Sequence, residues 1–238
     1  MKGIILAAGR GHRMKALTDE KPKCLTKLRG KPLLEWQLDA LRGEGISQIA
    51  IVTGYKHEML EKWDLKTFHN PFWEKTNMLS SLCCADEWLE KETCIVSYSD
   101  IFYDLSAVGQ LINCGAPIAI TYDPNWLEIW SKRFVDPLSD AETFRLNADS
   151  TLQKIGDTAS TISEIQGQYM GLLRFTPQGW DKVKEIRSKQ KKHVIDNLHM
   201  TGILQKIITE NHIPVTALPF EGEWGEIDTL DDLAVFNT

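Results

Sequence analysis

Four short runs of the chain each contain at least three consecutive apolar residues, and they restrict the possible fold more than any other feature. They are GIILAA at 3–8, SQIAIVTG at 47–54, TCIVSYSD at 93–100 and APIAITYD at 116–123. A strand with no polar face has to be covered on both sides, as in a parallel sheet between helices. The segments between the runs, such as 31–45 and 77–91, have helical spacing of their apolar residues. We therefore predict an α/β fold with a doubly wound, mostly parallel sheet over roughly residues 1–120.

The pattern changes after residue 123. Residues 124–175 mix aromatic, acidic and short strand-like pieces, which predicts a small antiparallel extension over the sheet. Helices near 177–191 and 199–211, a strand at VTALPF and a short helix from Thr229 follow. The chain has no internal repeat and no flexible linker, so we predict a single domain over residues 1–238.

Composition excludes several classes of protein. The chain has 27 Lys and Arg against 33 Asp and Glu, a net charge of −6, which argues against nucleic acid as a partner. Its apolar runs are too short for a signal-peptide core or a membrane helix. The five cysteines lack CxxC or zinc spacing and are predicted to be reduced thiols. We expect a cytoplasmic protein without membrane partners.

The loop after the first strand concentrates glycine and positive charge on this acidic chain. It reads LAAGRGHRMKALTDEKPKCL over residues 6–25. Small residues let backbone N–H groups approach an anion, and Arg and Lys add charge-assisted bonds to phosphate. The P-loop pattern is absent, and Met14 stands where the dinucleotide fingerprint needs its third glycine. A specific phosphate site is predicted here; the alternative is a solvated cationic loop.

The same loop resembles the nucleotidyltransferase signature L-A-A-G-x-G-x-R-(M/L)-x-x-L-T-x-x-x-P-K-x-L. The resemblance extends through KPLLEWQLDALRGEGISQIAIVTGY, the YSD after the third strand and WGEIDTLDDL near the end. That family includes sugar-1-phosphate nucleotidylyltransferases and small phosphocholine cytidylyltransferases. The resemblance implies an enzyme that transfers a nucleotidyl group with Mg²⁺ and releases pyrophosphate. It assigns nucleotide binding to residues 1–123, and acceptor binding and a second metal aspartate to residues 124–238.

The resemblance also implies roles for particular residues. Asp100 and Asp228 correspond to the metal-binding aspartates, although a strand-end cap and a helix N-cap are the ordinary alternatives. Glu226 is a third candidate, while Lys23 and Arg13 match the catalytic residues that reach the phosphates. Lys15 and Lys21 are expected to be surface charges. The predicted nucleotide-binding residues are Leu6, Ala7, Ala8, Gly9, Gly11, Arg13, Lys23, Asn77, Ser80 (or Ser81) and Ser99.

The segment NPFWEKTNMLSSLCCADEWL resembles the cytidylyltransferase branch, which implies CTP as the nucleotide. Residues 122–146 and 164–175 resemble a narrower group that acts on small phosphorylated or phosphonylated amines. Among them are the CTP:phosphoglutamine cytidylyltransferases of capsule biosynthesis, with phosphocholine and aminoalkylphosphonate enzymes as relatives. Arg133 could bind a substrate carboxylate, and aromatic faces could bind an ammonium, although core packing would equally explain the tryptophans. The predicted acceptor-binding residues are Trp126, Glu128, Arg133, Glu164, Gln168 and Tyr169.

Two other functions stay open at this point. A sugar-1-phosphate nucleotidylyltransferase would share the loop and the acids but use UTP, GTP or dTTP. A catalytically silent nucleotide-binding regulator is the other alternative; loss of Lys23 or of a metal aspartate would be its sign, and all three are present. The residues leave the oligomeric state open, including a homodimer.

Overall fold

The computed structural model describes residues 1–11, 13–14, 18–210 and 213–237. The predicted surface charge Lys15 and the end of the helix predicted over 199–211 lie outside these ranges. Thirteen strands are described: β1 (Lys2–Ala7), β2 (Lys27–Leu28), β3 (Lys31–Pro32), β4 (Ile49–Thr53), β5 (Lys66–His69), β6 (Cys94–Tyr98), β7 (Ile101–Tyr103), β8 (Ile118–Asp123), β9 (Glu142–Leu146), β10 (Leu152–Thr158), β11 (Gln168–Phe175), β12 (Val215–Pro219) and β13 (Trp224–Glu226).

Nine α-helices lie within the same ranges. They are α1 (Leu33–Gly43), α2 (Met78–Leu82), α3 (Asp86–Leu89), α4 (Leu105–Asn113), α5 (Trp126–Arg133), α6 (Pro177–Ser188), α7 (Lys192–Asn197), α8 (Met200–Thr209) and α9 (Leu230–Phe236). The helix predicted over 77–91 is divided, because a 3₁₀ turn over Cys83–Ala85 separates α2 from α3. None of the described helices has the length and hydrophobicity to cross a bilayer.

A seven-stranded sheet forms the centre of the molecule, in the order β12-β8-β11-β6-β1-β4-β5. The neighbours β1 with β4, β1 with β6, β4 with β5, and β8 with β12 are parallel. The apolar runs of the sequence supply its buried strands; all five residues of β4 are buried. Helices α1 and α4 pack together, and α6 and α8 form a second pair. The predicted doubly wound α/β class is confirmed.

One strand of the sheet runs against the others. Strand β11 is antiparallel to both β6 and β8 and lies between them. The sequence places 124–175 in a separate extension, but only β9 and β10 form such an antiparallel pair. Because β11 is reversed, its first residues, Gln168 and Tyr169, lie at the edge where the parallel strands end. Ligands bind at that edge in open α/β sheets.

A small antiparallel pair of strands joins β7, which follows β6, to β13 near the end of the chain. Strand β13 pairs with β7, so that Glu226 lies opposite Ile101 and Gly225 opposite Phe102. The Ile227 amide donates to the Asp100 carbonyl at 2.9 Å and extends the pairing by one step. These bonds bring residues 100 and 228 together, although 127 positions of sequence separate Asp100 from Ile227.

All five cysteines are free thiols, as predicted. Burial raises the pKa of the Cys24, Cys83 and Cys94 thiols to about 12 in each case. Thiols with such pKa values stay protonated and unreactive at neutral pH.

The substitution Gly225→Ala tests the β7–β13 pairing. A Cβ at this position would lie 2.6 Å from both the Phe102 and the Phe236 ring. We expect this overpacking to lower the free energy of unfolding by about 1–3 kcal/mol, measured by urea denaturation. Gly115→Ala is the control, because a Cβ there would meet no atom within 4 Å. Equal stability of the two variants would contradict the close approach at Gly225.

Candidate active site

A buried lysine joins two carboxylates from distant parts of the chain. Lys23 lies in a short 3₁₀ turn and is 7% exposed. Its Nζ donates to Asp100 Oδ2 at 2.7 Å and also to Asp228 Oδ1. Burial alone would lower the pKa of Lys23, but the two aspartates raise it above its ordinary value. The ammonium therefore stays charged, and it compensates both carboxylates.

The loop glycine Gly11 makes room for this lysine. Its φ is +71°, and a Cβ there would lie 2.8 Å from Cδ of Lys23. Any other residue at position 11 would have a strained backbone at this φ, and its Cβ would displace the aliphatic part of the Lys23 side chain. Gly9 differs, because a Cβ there would meet nothing within 4 Å. Gly11 thus positions Lys23, whereas Gly9 leaves open space beside the backbone.

Asp228 is the most heavily paired acid of the site. It is 2% exposed, and Arg13 approaches its Oδ2 at 2.8 Å. The Arg133 guanidinium lies 3.7 Å from the same oxygen. Burial opposes ionisation of this carboxyl, but Lys23 and Arg13 hold its pKa below the ordinary value. Asp228 is therefore an anion within a ring of cations.

Three carboxylates form an acid cluster that could hold a cation. Asp100, Glu226 and Asp228 each place one oxygen within 4.8 Å of the others. Asp100 Oδ1 is buried and accepts no hydrogen bond from any residue that the structure describes. Burial and the charges of Asp228 and Asp100 raise the pKa of Glu226 well above its ordinary value. Oxygen ligands of this kind suit hard divalent cations, so the cluster fits a magnesium-type ion.

Arg133 supports the acid cluster from behind. Its side chain is fully buried, at 0% exposure. Nε donates to Asp232 Oδ1 at 2.8 Å, and NH1 lies 3.4 Å from Glu226 Oε2. The guanidinium also stacks on Trp130, 4.6 Å from its ring centroid. These contacts occupy the guanidinium, so the structure makes Arg133 a support for the acids and not the free carboxylate-binding group expected from the sequence.

A cavity of about 360 Å³ lies where β1 and β6 end, and we call it the β1 pocket. Its lining combines the small residues of the loop, the basic side chains and two of the acids. The lining residues are Leu6, Ala8, Gly9, Gly11, Arg13, Lys23, Trp73, Thr76, Asn77, Met78, Ser81, Tyr98, Ser99, Asp100 and Asp228. Volume, small-residue backbone and cations together suit a phosphorylated ligand of moderate size.

Most of the predicted nucleotide-binding residues lie in this lining. Ala7 and Ser80 are exceptions: Ala7 is buried within β1, and Ser80 Oγ accepts from Arg187 at 3.2 Å. Ser81, the alternative to Ser80, lines the pocket. Lys21, expected to be a surface charge, lies outside the β1 pocket and lines a separate open groove with Lys27 and Lys62.

A second cavity, the β11 pocket, measures about 300 Å³ and adjoins the first. The two share Arg13, Met78, Tyr98 and Asp100. A register shift in β11 after Tyr169 accompanies Gly171, which has a φ of +80° and whose missing Cβ leaves room for the Tyr98 ring. Bulges of this kind re-aim side chains beside functional sites. The remaining lining residues are Ile101, Asp140, Glu142, Gln168, Tyr169, Met170, Gly171, His199, Met200, Thr201 and Glu226.

The predicted acceptor-binding residues divide into two groups. Gln168 and Tyr169 line the β11 pocket, because they begin the reversed strand. Trp126 is 3% exposed and packs edge-on against Trp130, so packing explains it. Glu128 pairs with Lys132 at 2.9 Å on the exposed side of α5.

Glu164 also lies away from both pockets. It accepts from the Ser160 and Thr161 amides and completes a capping box. A carboxylate in a capping box stabilises the local turn by accepting hydrogen bonds from its backbone amides. The structure thus gives Trp126, Glu128 and Glu164 local partners and brings none of them to the β11 pocket.

Several lining residues had no signal that singled them out in the sequence. Trp73, Thr76 and Met78 lie close to Asn77 in the sequence, and this proximity to a predicted residue is the one sign that they could line the pocket. Asp140 lies just before β9 and Glu142 is its first residue; in the sequence this segment has the pattern of an ordinary surface strand. His199 and Thr201 reach the pocket only because α8 packs there; Asn77 Nδ2 lies 3.0 Å from the His199 ring nitrogen.

Comparison with known proteins agrees with this geometry. The model of the MobA-like NTP transferase domain matches residues 3–158. The chain belongs to this family. It is accordingly an enzyme of the nucleotidyltransferase class, as the loop motif predicts. Glu226 and Asp228 lie beyond the matched residues, and the β7–β13 pairing brings them to the motif.

Two relatives have names that describe their reactions. The chain is 36% identical to CTP:phosphoglutamine cytidylyltransferase of Campylobacter jejuni subsp. jejuni serotype O:2, over 99% of this chain and 98% of that one. It is 34% identical to choline-phosphate cytidylyltransferase of Streptococcus pneumoniae, over 44% of this chain and 48% of the other. The first likeness thus extends along the whole chain, whereas the second covers less than half of it.

Solved structures share the fold. The inositol-1-phosphate CTP transferase from T. maritima superposes with a TM-score of 0.75 at 20% identity, over 97% of this chain and 90% of that one. The CTP:phosphocholine cytidylyltransferase from Streptococcus pneumoniae gives 0.70 at 23% identity, over 99% and 97%. At these identities the likeness concerns the architecture alone.

Arg133→Ala tests the supporting role of this residue. Removing the buried guanidinium leaves Asp232, Glu226 and Asp228 without one of their cations. We expect the free energy of unfolding to fall by about 3–5 kcal/mol in urea denaturation, as for other broken buried ion pairs. Arg42→Ala, an exposed change in the last turn of α1, is the control. A loss similar to that of the control would show that the acids do not need Arg133.

Proposed function

We propose that the protein is a Mg²⁺-dependent cytidylyltransferase that joins CMP to a small phosphorylated or phosphonylated amine or amino acid, with phosphoglutamine as the leading acceptor. The main support for CTP as the nucleotide and phosphoglutamine as the acceptor is the 36% identity to a phosphoglutamine cytidylyltransferase along 99% of the chain. The adjoining pockets on either side of Arg13 and Asp100 support a reaction between two ligands. Participation in capsule biosynthesis remains a prediction.

CTP is assigned to the β1 pocket and the acceptor to the β11 pocket. In the reaction an acceptor phosphate oxygen attacks the α-phosphorus of CTP, the new P–O bond forms, and the bond to pyrophosphate breaks. The nucleophile already carries charge, so the main demand is to bring two anions together and to stabilise the leaving group. Arg13 lines both pockets and is suited to contact phosphates of either ligand.

The acid cluster is assigned to Mg²⁺. Asp100 and Asp228, with Glu226, would hold the ion, which when bound would neutralise phosphate charge and favour departure of pyrophosphate. Lys23 now bridges the two aspartates and also lines the β1 pocket, so its ammonium can donate to phosphate oxygens. Arg133 keeps Asp232 and Asp228 in place behind the ligands. Residues 1–123 are proposed as the nucleotide part and 124–238 as the acceptor part of one domain.

A matrix of nucleotides and acceptors tests the proposal. CTP, UTP, GTP and dTTP are each combined with phosphoglutamine, phosphocholine, an aminoalkylphosphonate and glucose 1-phosphate, and pyrophosphate release is measured. We expect release with CTP and the amine-containing acceptors, abolished by EDTA and restored by Mg²⁺. Turnover of glucose 1-phosphate with UTP or dTTP would instead identify a sugar-1-phosphate nucleotidylyltransferase. Nucleotide binding without turnover of any pair would indicate the silent regulator.

The variants Lys23→Ala and Asp100→Asn test the assigned roles. Each removes a charge that the reaction would use, so kcat should fall by at least about a hundredfold while circular dichroism stays unchanged. Lys21→Ala is the control, because Lys21 lies outside the β1 pocket. Near-normal kcat in either variant would remove that residue from the catalytic set.

A further inference from the structure

The β11 pocket contains more acid than its basic residues compensate. Four of its lining residues are carboxylates, and three of these form ion pairs with the site's buried or loop cations. A carboxylate already paired in this way is not available to a ligand unless its partner moves. The ion pairs join Asp100 to Lys23 at 2.7 Å, Asp140 to Arg13 at 3.1 Å and Glu226 to Arg133 at 3.4 Å.

Glu142 is the fourth carboxylate, and it differs from the others. Within the described part of the chain it forms no ion pair with a lysine or an arginine. Its hydrogen-bond partner is the Thr201 side chain, with His199 nearby. The His199 ring is itself within hydrogen-bond distance of Asn77. Glu142 begins β9, is an exposed residue and lines the β11 pocket, although burial of its carboxyl raises its pKa above the ordinary value.

An accessible carboxylate in a pocket of this size attracts a ligand cation. We propose that Glu142 binds the ammonium group of the acceptor and so selects acceptors with an unsubstituted primary amine; this inference rests on the proposed function. A primary ammonium has three N–H donors for the Glu142 oxygens. Arg13 lines both pockets and would contact the acceptor phosphate once its ion pair with Asp140 opens.

The aromatic lining favours a primary over a quaternary ammonium. Trimethylammonium groups have no N–H donor and are bound by cages of aromatic faces. The described lining of the β11 pocket contains two tyrosines, Tyr98 and Tyr169, besides the imidazole of His199. Their rings meet edge-on, at a centroid distance of 5.7 Å and an interplanar angle of 90°. Two tyrosines packed on each other make a poor cage, whereas Glu142 offers hydrogen bonds.

The variant Glu142→Gln keeps the size of the side chain and removes its charge. It is compared with wild type on phosphoglutamine and on the desamino analogue, which lacks only the α-amino group. We expect KM for phosphoglutamine to rise about ten- to a hundredfold, the loss typical of a charge-assisted contact, with KM for CTP and kcat little changed. KM for the desamino analogue should be the same in both proteins. Glu61→Gln, an exposed change that lines neither pocket, is the control.

A second pair of acceptors tests the preference for a primary amine. Phosphoethanolamine and phosphocholine differ only in three N-methyl groups, and wild type should have the higher kcat/KM for phosphoethanolamine. Glu142→Gln should reduce that preference. Preference of the wild type for phosphocholine would overturn the assignment, as would equal effects of Glu142→Gln on phosphoglutamine and its desamino analogue.

Binding measurements separate this inference from the proposed function. Calorimetry compares phosphoglutamine with the desamino analogue on both proteins, with and without a non-hydrolysable CTP analogue, and needs no turnover. If CTP supports no reaction, the proposed function fails, but an amine-dependent affinity that Glu142→Gln removes would still support the ammonium site. If wild type binds the two compounds equally or binds neither, the Glu142 assignment is wrong.

Discussion

The pairing of β7 with β13 is the constraint on which the active site depends. Three residue pairs and the bond from the Ile227 amide to the Asp100 carbonyl hold residues 224–227 against β7 and the residue before it. Without these bonds, the buried Asp228 and the partly buried Asp100 would not be held close together, since like charges repel. Basic side chains that contact the two carboxylates compensate their negative charge. Lys23 bridges Asp100 and Asp228, and Arg13 and Arg133 approach Asp228 from other directions.

Reversal of a single strand provides the second half of the site. Strand β11 is antiparallel between β6 and β8, so it begins where they end. Its first residues therefore line a pocket beside the one formed by the β1 loop. A sheet made only of parallel strands would place the beginning of β11 at the opposite edge. The two pockets share Arg13 and Asp100, which agrees with the proposed reaction between two bound anions.

The predicted nucleotide-binding residues that line the β1 pocket belong mostly to a local pattern. Gly9, Gly11, Arg13 and Lys23 lie within one continuous loop, and their spacing identified it. The acceptor side has no such pattern. The prediction of its residues relied on aromatic and charged residue types, and it included Trp126, Glu128 and Glu164. Packing, an ion pair along one helix turn and a capping box explain those three residues instead.

The sequence by itself determined the α/β class and the nucleotidyltransferase motif, because apolar runs and loop motifs are local in the chain. The phosphate-binding role of the loop and the metal-binding role of the two aspartates stay predictions. Only the tertiary structure decided that Arg133 pairs with the acids and that Glu142 lines the second pocket. The physical reason is that ion pairing and burial depend on distances in space between segments far apart in sequence. A charged residue looks alike in the sequence whether it faces a partner, a ligand or water.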